Sequence, residues 1–154
     1  MYKTSRIAKF DQKNVVYLAF VGKFNNTETF KYGKSTNYYV REMTAHRKTF
    51  GPTFETRAIY ETNYKDQVEV LLEKELKVRD LHRDMVFNGK KQTELFVTTP
   101  TYKFDFVDQL IKDIIYDFDC KDVHKVSIEL EKLKIEKLRL MVELAKMRAT
   151  KKTD

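Results

Sequence analysis

The run Val15–Phe20 (VVYLAF) constrains the fold of this chain most. It is short, apolar and rich in β-branched and aromatic residues, the composition and length of a strand. Asn25-Asn26-Thr27 reads as a turn, and Thr29–Tyr32 (TFKY) as a second strand stopped by Gly33. Together they predict a β-hairpin with a loop longer than two residues. Ser35, Thr36 and Asn37 are N-cap residues for a helix over 37–48, which Gly51-Pro52 ends. Tyr39, Val40, Met43 and the Arg47 stem are its expected apolar stripe. Phe54–Tyr60 (FETRAIY) predicts a third strand. A long helix over 65–80, capped by Asn63 or Asp66, would bury Val68, Leu71, Leu72 and Leu76. Asn88-Gly89 is turn-like, and Glu94–Val97 a brief extended segment.

The second part of the chain reads differently. Pro100 separates a helix over 104–118 from the preceding region, and the polar stretch Asp119–Asp122 predicts a break. A last helix from Val123 to Ala149 carries Val123, Val126, Leu130, Leu133, Leu140, Leu144 and Met147 in heptad rhythm, with Lys137 its one polar member. A second stripe, Ile128, Ile135, Leu138, Val142 and Ala145, runs beside it. Such a helix packs on the domain or on a copy of itself, and a homo-oligomer is the expectation. The fold class is therefore α/β (α+β): a three-stranded antiparallel sheet with flanking helices at 1–99, then a helical tail at 100–154.

The net charge of +7 is unevenly placed. Residues 1–60 hold 11 Lys/Arg against 4 Asp/Glu, and residues 61–154 hold 19 of each. A positive field of this kind suits a polyanion such as DNA. No apolar run approaches the ~18 residues of a membrane helix, and the N-terminus has no apolar signal core. The single Cys120 precludes an intramolecular disulfide and reads as a structural thiol in a reducing, intracellular compartment. The three histidines, 46, 82 and 124, show no metal-ligand spacing, and no P-loop or GxSxG motif is present.

Five pieces of sequence carry chemistry: VVY (15–17), FKYGKS (30–35), Arg41 in TNYYVREMTAHR, Glu69 in VEVLLEKELK, and TELF (93–96). In that order and spacing they resemble the GIY-YIG nuclease superfamily, in its divergent branch carried by phages and large DNA viruses. The resemblance covers about 80 residues of the chain. Lys31-Tyr32-Gly33 stands where the family name has Tyr-Ile-Gly, so only one catalytic tyrosine is expected. The resemblance implies Mg²⁺- or Mn²⁺-dependent hydrolysis of DNA, nicking once per domain. Tyr17 would activate water, Arg41 would hold the scissile phosphate with Lys31, and Glu69 would bind the metal. A phenol is a poor base unless a cation favours phenolate, and Lys31 on the adjacent strand is a candidate for that cation. Each residue also has a plainer reading, as a strand tyrosine, a solvated helix arginine or a surface glutamate, with Glu73 the rival to Glu69. His46 lies about 140° from Arg41 on an ideal helix; it is a further catalytic candidate, or else a capping or surface residue. Lys34, Arg47, Lys48 and Arg57 are candidates for tracking the nucleic-acid backbone. A non-catalytic relative that binds nucleic acid, or a coiled-coil adaptor, is the competing expectation.

Overall fold

A computed structural model of the chain describes residues 4–150. A helical turn, α1 (Thr4–Ile7), and a 3-10 turn (Ala8–Phe10) precede the sheet. Strand β1 (Val15–Phe24) returns as β2 (Thr27–Ser35) through Asn25-Asn26 alone. This turn is tighter than expected. Its two asparagines have φ of 49° and 62°, a left-handed pair whose twist matches that of the flanking strands. The next elements are helix α2 (38–50), β3 (Glu55–Glu61) and helix α3 (Lys65–Val78). Strands β4 (His82–Phe87) and β5 (Lys90–Val97) form a second hairpin through Asn88-Gly89, again with φ positive at both turn residues.

The sheet is antiparallel with five strands in the order β3-β1-β2-β5-β4, not three. The extra strands are β5, longer than the segment expected at 94–97, and β4, which was not expected. The segment HRDMVF carries three charged or ionisable residues because it lies at the sheet edge, where burial does not demand alternating apolar residues.

Side-chain alternation divides β1 between two layers. Val15, Tyr17, Ala19 and Val21 join Ile7, Tyr38, Phe50, Phe54, Ile59 and Leu95 in one buried cluster, with α2 and α1 contributing its cover. Val16 and Leu18 point to the other layer with Phe30 and Tyr32. There Val68, Leu72 and Leu76 of α3 are buried, and Phe30 meets Phe96 and Phe104 with ring centroids 5.2 and 5.0 Å apart. Neither expected side-chain cap forms on α3. Tyr64 precedes it without a cap bond, and Thr62 Oγ1 instead accepts from the Tyr64 N–H.

Three expectations about the helices fail. On α2 the buried positions are Tyr38, Glu42, His46 and Phe50, while Val40 is exposed; the Met43 side chain lies outside the described residues. On α3, Leu71 is 38 % exposed and is not part of the core stripe. The break at Asp119–Asp122 is absent: helix α4 runs from Phe104 to Thr150. Polar residues without Gly or Pro remove no backbone bond, so they do not stop a helix.

The chain divides into two units between Ile115 and Tyr116, so the first turns of α4 belong with the sheet. Val107 and Ile111 there are fully buried, and Asp108 accepts from the Tyr60 hydroxyl. In the second unit every residue from 119 to 149 is exposed, including Cys120, which is a free surface thiol and not a structural one. No described helix is long and apolar enough to cross a membrane.

The neighbours Leu71 and Leu72 separate burial from composition. Leu72→Ala should cost about 2–5 kcal/mol in urea unfolding, whereas Leu71→Ala should stay within about 0.5 kcal/mol of the parent. Equal losses would contradict this packing.

Candidate functional site: a buried phenol–imidazole pair beside Gly33

Tyr17 is the third residue of β1 and is completely buried. Its hydroxyl is 2.8 Å from His46 Nε2, the tautomer deciding which atom donates. Across the ladder Tyr17 faces Gly33. A Cβ added at Gly33 would stand 2.8 Å from the Tyr17 hydroxyl and 3.0 Å from Cζ. The absence of a side chain at position 33 is therefore what admits the phenol.

His46 reaches this position because α2 is not a regular α-helix. Residues Glu42–His46 form a π-helical turn. Its i→i+5 bonding widens the turn and brings a residue five positions on back towards the starting face. The separation of about 140° expected for Arg41 and His46 assumes α geometry throughout. Residues four apart would also drift by about 40° per step on an α-helix; the wider turn recovers that drift and leaves 38, 42, 46 and 50 all buried. Thr44 Oγ1 donates to the Val40 carbonyl at 2.7 Å, a bond of the kind that bends helices. His46 is thus neither a cap nor a surface residue.

Aromatic rings surround the pair. The Tyr17 and Tyr38 rings lie 4.1 Å apart, and His46 has Phe54, Tyr17, Phe50 and Tyr38 at 5.1 to 6.2 Å. Tyr38 donates to or accepts from Thr56 Oγ1 at 2.7 Å. Burial raises the Tyr17 pKa well above the phenolic range, opposed by the Arg41 charge and reinforced by Glu94 and Glu69. Burial lowers the His46 pKa from 6.5 to about 3, with Lys31 and Arg41 adding to the effect. Both partners are neutral at pH 7.

Lys31 does not serve as the cation for a Tyr17 phenolate. Only 3 % exposed, it pairs with Glu94 Oε2 at 2.8 Å, and burial lowers its pKa despite that carboxylate. Glu94 reaches it through an irregularity in the ladder. Arg83 pairs with Leu95 but Met85 with Gln92, so β5 carries one extra residue there. A bulge of this kind re-aims side chains.

Lys34 lies beyond Gly33. Its Nζ is 2.9 Å from Asp66 Oδ1 and 3.1 Å from Glu69 Oε1, and both carboxylates raise its pKa. Arg41 is exposed on α2, and its Nη1 donates to the Lys34 carbonyl at 3.1 Å. Thus Tyr17, His46, Lys31, Arg41 and Glu69 share one electrostatic neighbourhood with Glu94. Glu73 is paired with Lys77 one turn along α3 and acts on Tyr32 instead. Arg47, Lys48 and Arg57 have other neighbours. Arg47 is 3.4 Å from the buried Glu42 beside an open cavity of about 480 Å³. The Lys48 carbonyl accepts from Asn88, and Arg57 pairs with Glu55 above the Phe20 ring.

Among the described residues no group of three or more His, Cys, Asp and Glu is placed to hold a metal ion. Asp66 and Glu69 nevertheless converge on one ammonium, and this paired-carboxylate environment fits a hydrated Mg²⁺, which needs few protein ligands. As site residues, Asp66 and Glu94 escaped sequence reasoning. The i, i+3 spacing of Asp66 and Glu69 was the available signal for the first, whereas a bulge leaves none for Glu94.

Comparison with protein-family models, with curated proteins and with solved structures finds no match for this chain.

Two predictions follow from the neutral pair. Between pH 6.5 and about 3 the unfolded chain binds a proton at His46 that the folded chain does not. Stability therefore falls as pH drops through that window, by at most about 1.4 kcal/mol per pH unit from this residue. Urea midpoints from pH 7 to 4.5 should drop less steeply in His46→Phe than in the parent, and the His46 ring resonances should not titrate between pH 7 and 5. A midpoint near 6.5 would contradict the buried pair. Gly33→Ala should cost about 1–3 kcal/mol through overpacking and, by displacing the phenol, return the His46 titration towards its ordinary range; an unchanged His46 titration would show that the Cβ is accommodated elsewhere.

Proposed function

We propose that this chain is a metal-dependent DNA endonuclease of the GIY-YIG type, hydrolysing one phosphodiester per domain. The observation that supports it best is the gathering of the phenol–imidazole pair, Arg41, Lys34 and Glu69 around residues 31–34. Phosphoryl chemistry uses such groups for positioning and charge stabilisation. Arg41 presents an exposed guanidinium suited to two phosphate oxygens. An incoming phosphate competes with Asp66 and Glu69 for Lys34, freeing the carboxylates.

Mg²⁺ or Mn²⁺ bound by Glu69, with Asp66 beside it, would supply positive charge for the leaving oxygen. Tyr17 orients the attacking water through its hydroxyl oxygen, while its own proton stays in the bond to His46 Nε2. The water oxygen forms the new P–O bond and releases its proton to solvent, the old P–O bond breaks, and the leaving oxygen takes a proton from solvent. Because Tyr17 and His46 stay neutral, the step does not require a preformed phenolate. Lys31, held by Glu94, positions the strand and biases His46 towards its neutral form. Lys34 would contact the DNA backbone, with Arg47, Lys48 and Arg57 adding sequence-independent attraction. The heptad tail would join copies of the chain, since cutting both strands takes two such centres.

A second reading, a non-catalytic relative that binds nucleic acid or acts as an adaptor through its tail, is favoured by the complete burial of Tyr17 and by Lys34 on the Glu69 carboxylate.

Supercoiled plasmid with Mg²⁺ or Mn²⁺ distinguishes them. The parent should yield open circles, EDTA should stop the reaction, Glu69→Ala should abolish it, and His46→Ala should slow it about 10²–10⁴-fold. Intact plasmid, with DNA retained at low salt and released at high salt, would establish the binding reading instead.

A further inference from the structure

The exposed part of α4 carries charge columns that select one way of pairing. Its first stripe places Val123, Leu130 and Leu144 at heptad position a, with Lys137 at the remaining a position. Val126, Leu133, Leu140 and Met147 occupy d. All of these apolar side chains are more than half exposed, Leu133 at 65 %. On the g flank stand Asp122, Glu129, Glu136 and Glu143, every one acidic. On the e flank stand Ser127, Lys134, Met141 and Arg148, none acidic.

We propose that residues 116–150 pair with a second copy of this chain as a parallel, in-register, two-stranded coiled coil. In a parallel pair the g position of one helix faces the e position of the next heptad on the other. Glu129 then meets Lys134 of its counterpart and Glu143 meets Arg148, each twice by symmetry, and no like charges are opposed. In an antiparallel pair g faces g, so Glu136 confronts its own copy and Glu129 confronts Glu143 of the counterpart. Charge complementarity therefore fixes the direction.

Lys137 fixes the register. A single lysine at an a position costs stability, but it holds two helices in the alignment that lets each ammonium reach the rim. The second stripe does not compete for a copy of itself. Ile128, Ile135, Leu138 and Val142 are flanked by Lys132, Arg139 and Lys146 on one side and by Lys134 and Arg148 on the other, with Glu131 interrupting the row. Two such faces repel each other in either direction.

The parallel arrangement also deepens the nuclease reading, on which its consequence for cleavage rests: both chains enter the coiled coil from the same end, so two active centres serve one DNA site and opposite strands can be cut together. The test of orientation is independent of cleavage. Full-length chain carrying Cys120→Ser is made with Val126→Cys or with Met147→Cys. Each is oxidised alone, and the two are also unfolded, mixed, refolded and oxidised together. Light scattering on the unmodified chain should give a two-chain mass. Val126→Cys should cross-link to itself, and in the mixture peptide mass spectrometry should find 126–126 and 147–147 disulfides with loss of the 126–147 species. A dominant 126–147 disulfide would overturn the parallel direction. A one-chain mass, or a mass of three or more chains, would overturn the pairing. Absence of plasmid nicking beside 126–126 cross-links would leave this assembly standing and remove only the nuclease reading.

Discussion

The hydrogen bond between the Tyr17 hydroxyl and His46 Nε2 is the interaction on which the site is built. A phenol and an imidazole buried among the rings of Tyr38, Phe50 and Phe54 would each carry a desolvation cost if left alone. Paired, they satisfy each other without charge. Three otherwise unrelated features serve that pairing. Antiparallel register sets Tyr17 opposite residue 33, glycine at 33 leaves space for the phenol, and the π turn brings residue 46 inward. Removal of any one of them strands a buried polar group.

The same logic governs the charges. Five of the eleven Lys and Arg residues in the first 60 are already engaged. Lys13, Lys31, Lys34, Arg47 and Arg57 each have a carboxylate within 3.4 Å. Only Lys31 is deeply buried among them, and a buried ammonium without its partner would be far more costly than an exposed one. The surface pairs contribute little to stability and remain exchangeable. Such exchangeable cations are the ones a polyanion can recruit without disturbing the core.

Strands β1, β2 and β3 and helix α3 were legible because local chemistry and tertiary role agree, through apolar β-branched and aromatic runs and an amphipathic stripe; Gly33, expected to stop β2, instead lies within it, and the strand runs on to Ser35. Lys31, Arg41 and Glu69 were found from their order along the chain, and the structure brings them into one neighbourhood. Other features were hidden by departures from regular geometry. His46 lies on a π turn, so a residue count on a regular α-helix drifts by about 40° for each four residues and does not show that Tyr38, Glu42, His46 and Phe50 share the buried face. Glu94 sits at a bulge, where the period of two no longer tells which way a side chain points. The β4 strand is polar because it is an edge. Asp119–Asp122 reads as a gap only if polarity is mistaken for a helix breaker.

The Lys31–Glu94 pair spans 63 residues of chain. Its buried member, Lys31, lies in the first hairpin, and its half-exposed member, Glu94, in the last strand of the sheet. During synthesis the Lys31 ammonium has no partner in β5 until that strand has emerged, so the hairpin's central position stays hydrated and its core unsealed. The entropy of closing a loop grows only slowly with its length, so the distance along the chain is a small obstacle; a chain truncated ahead of residue 94 carries a buried lysine without its carboxylate.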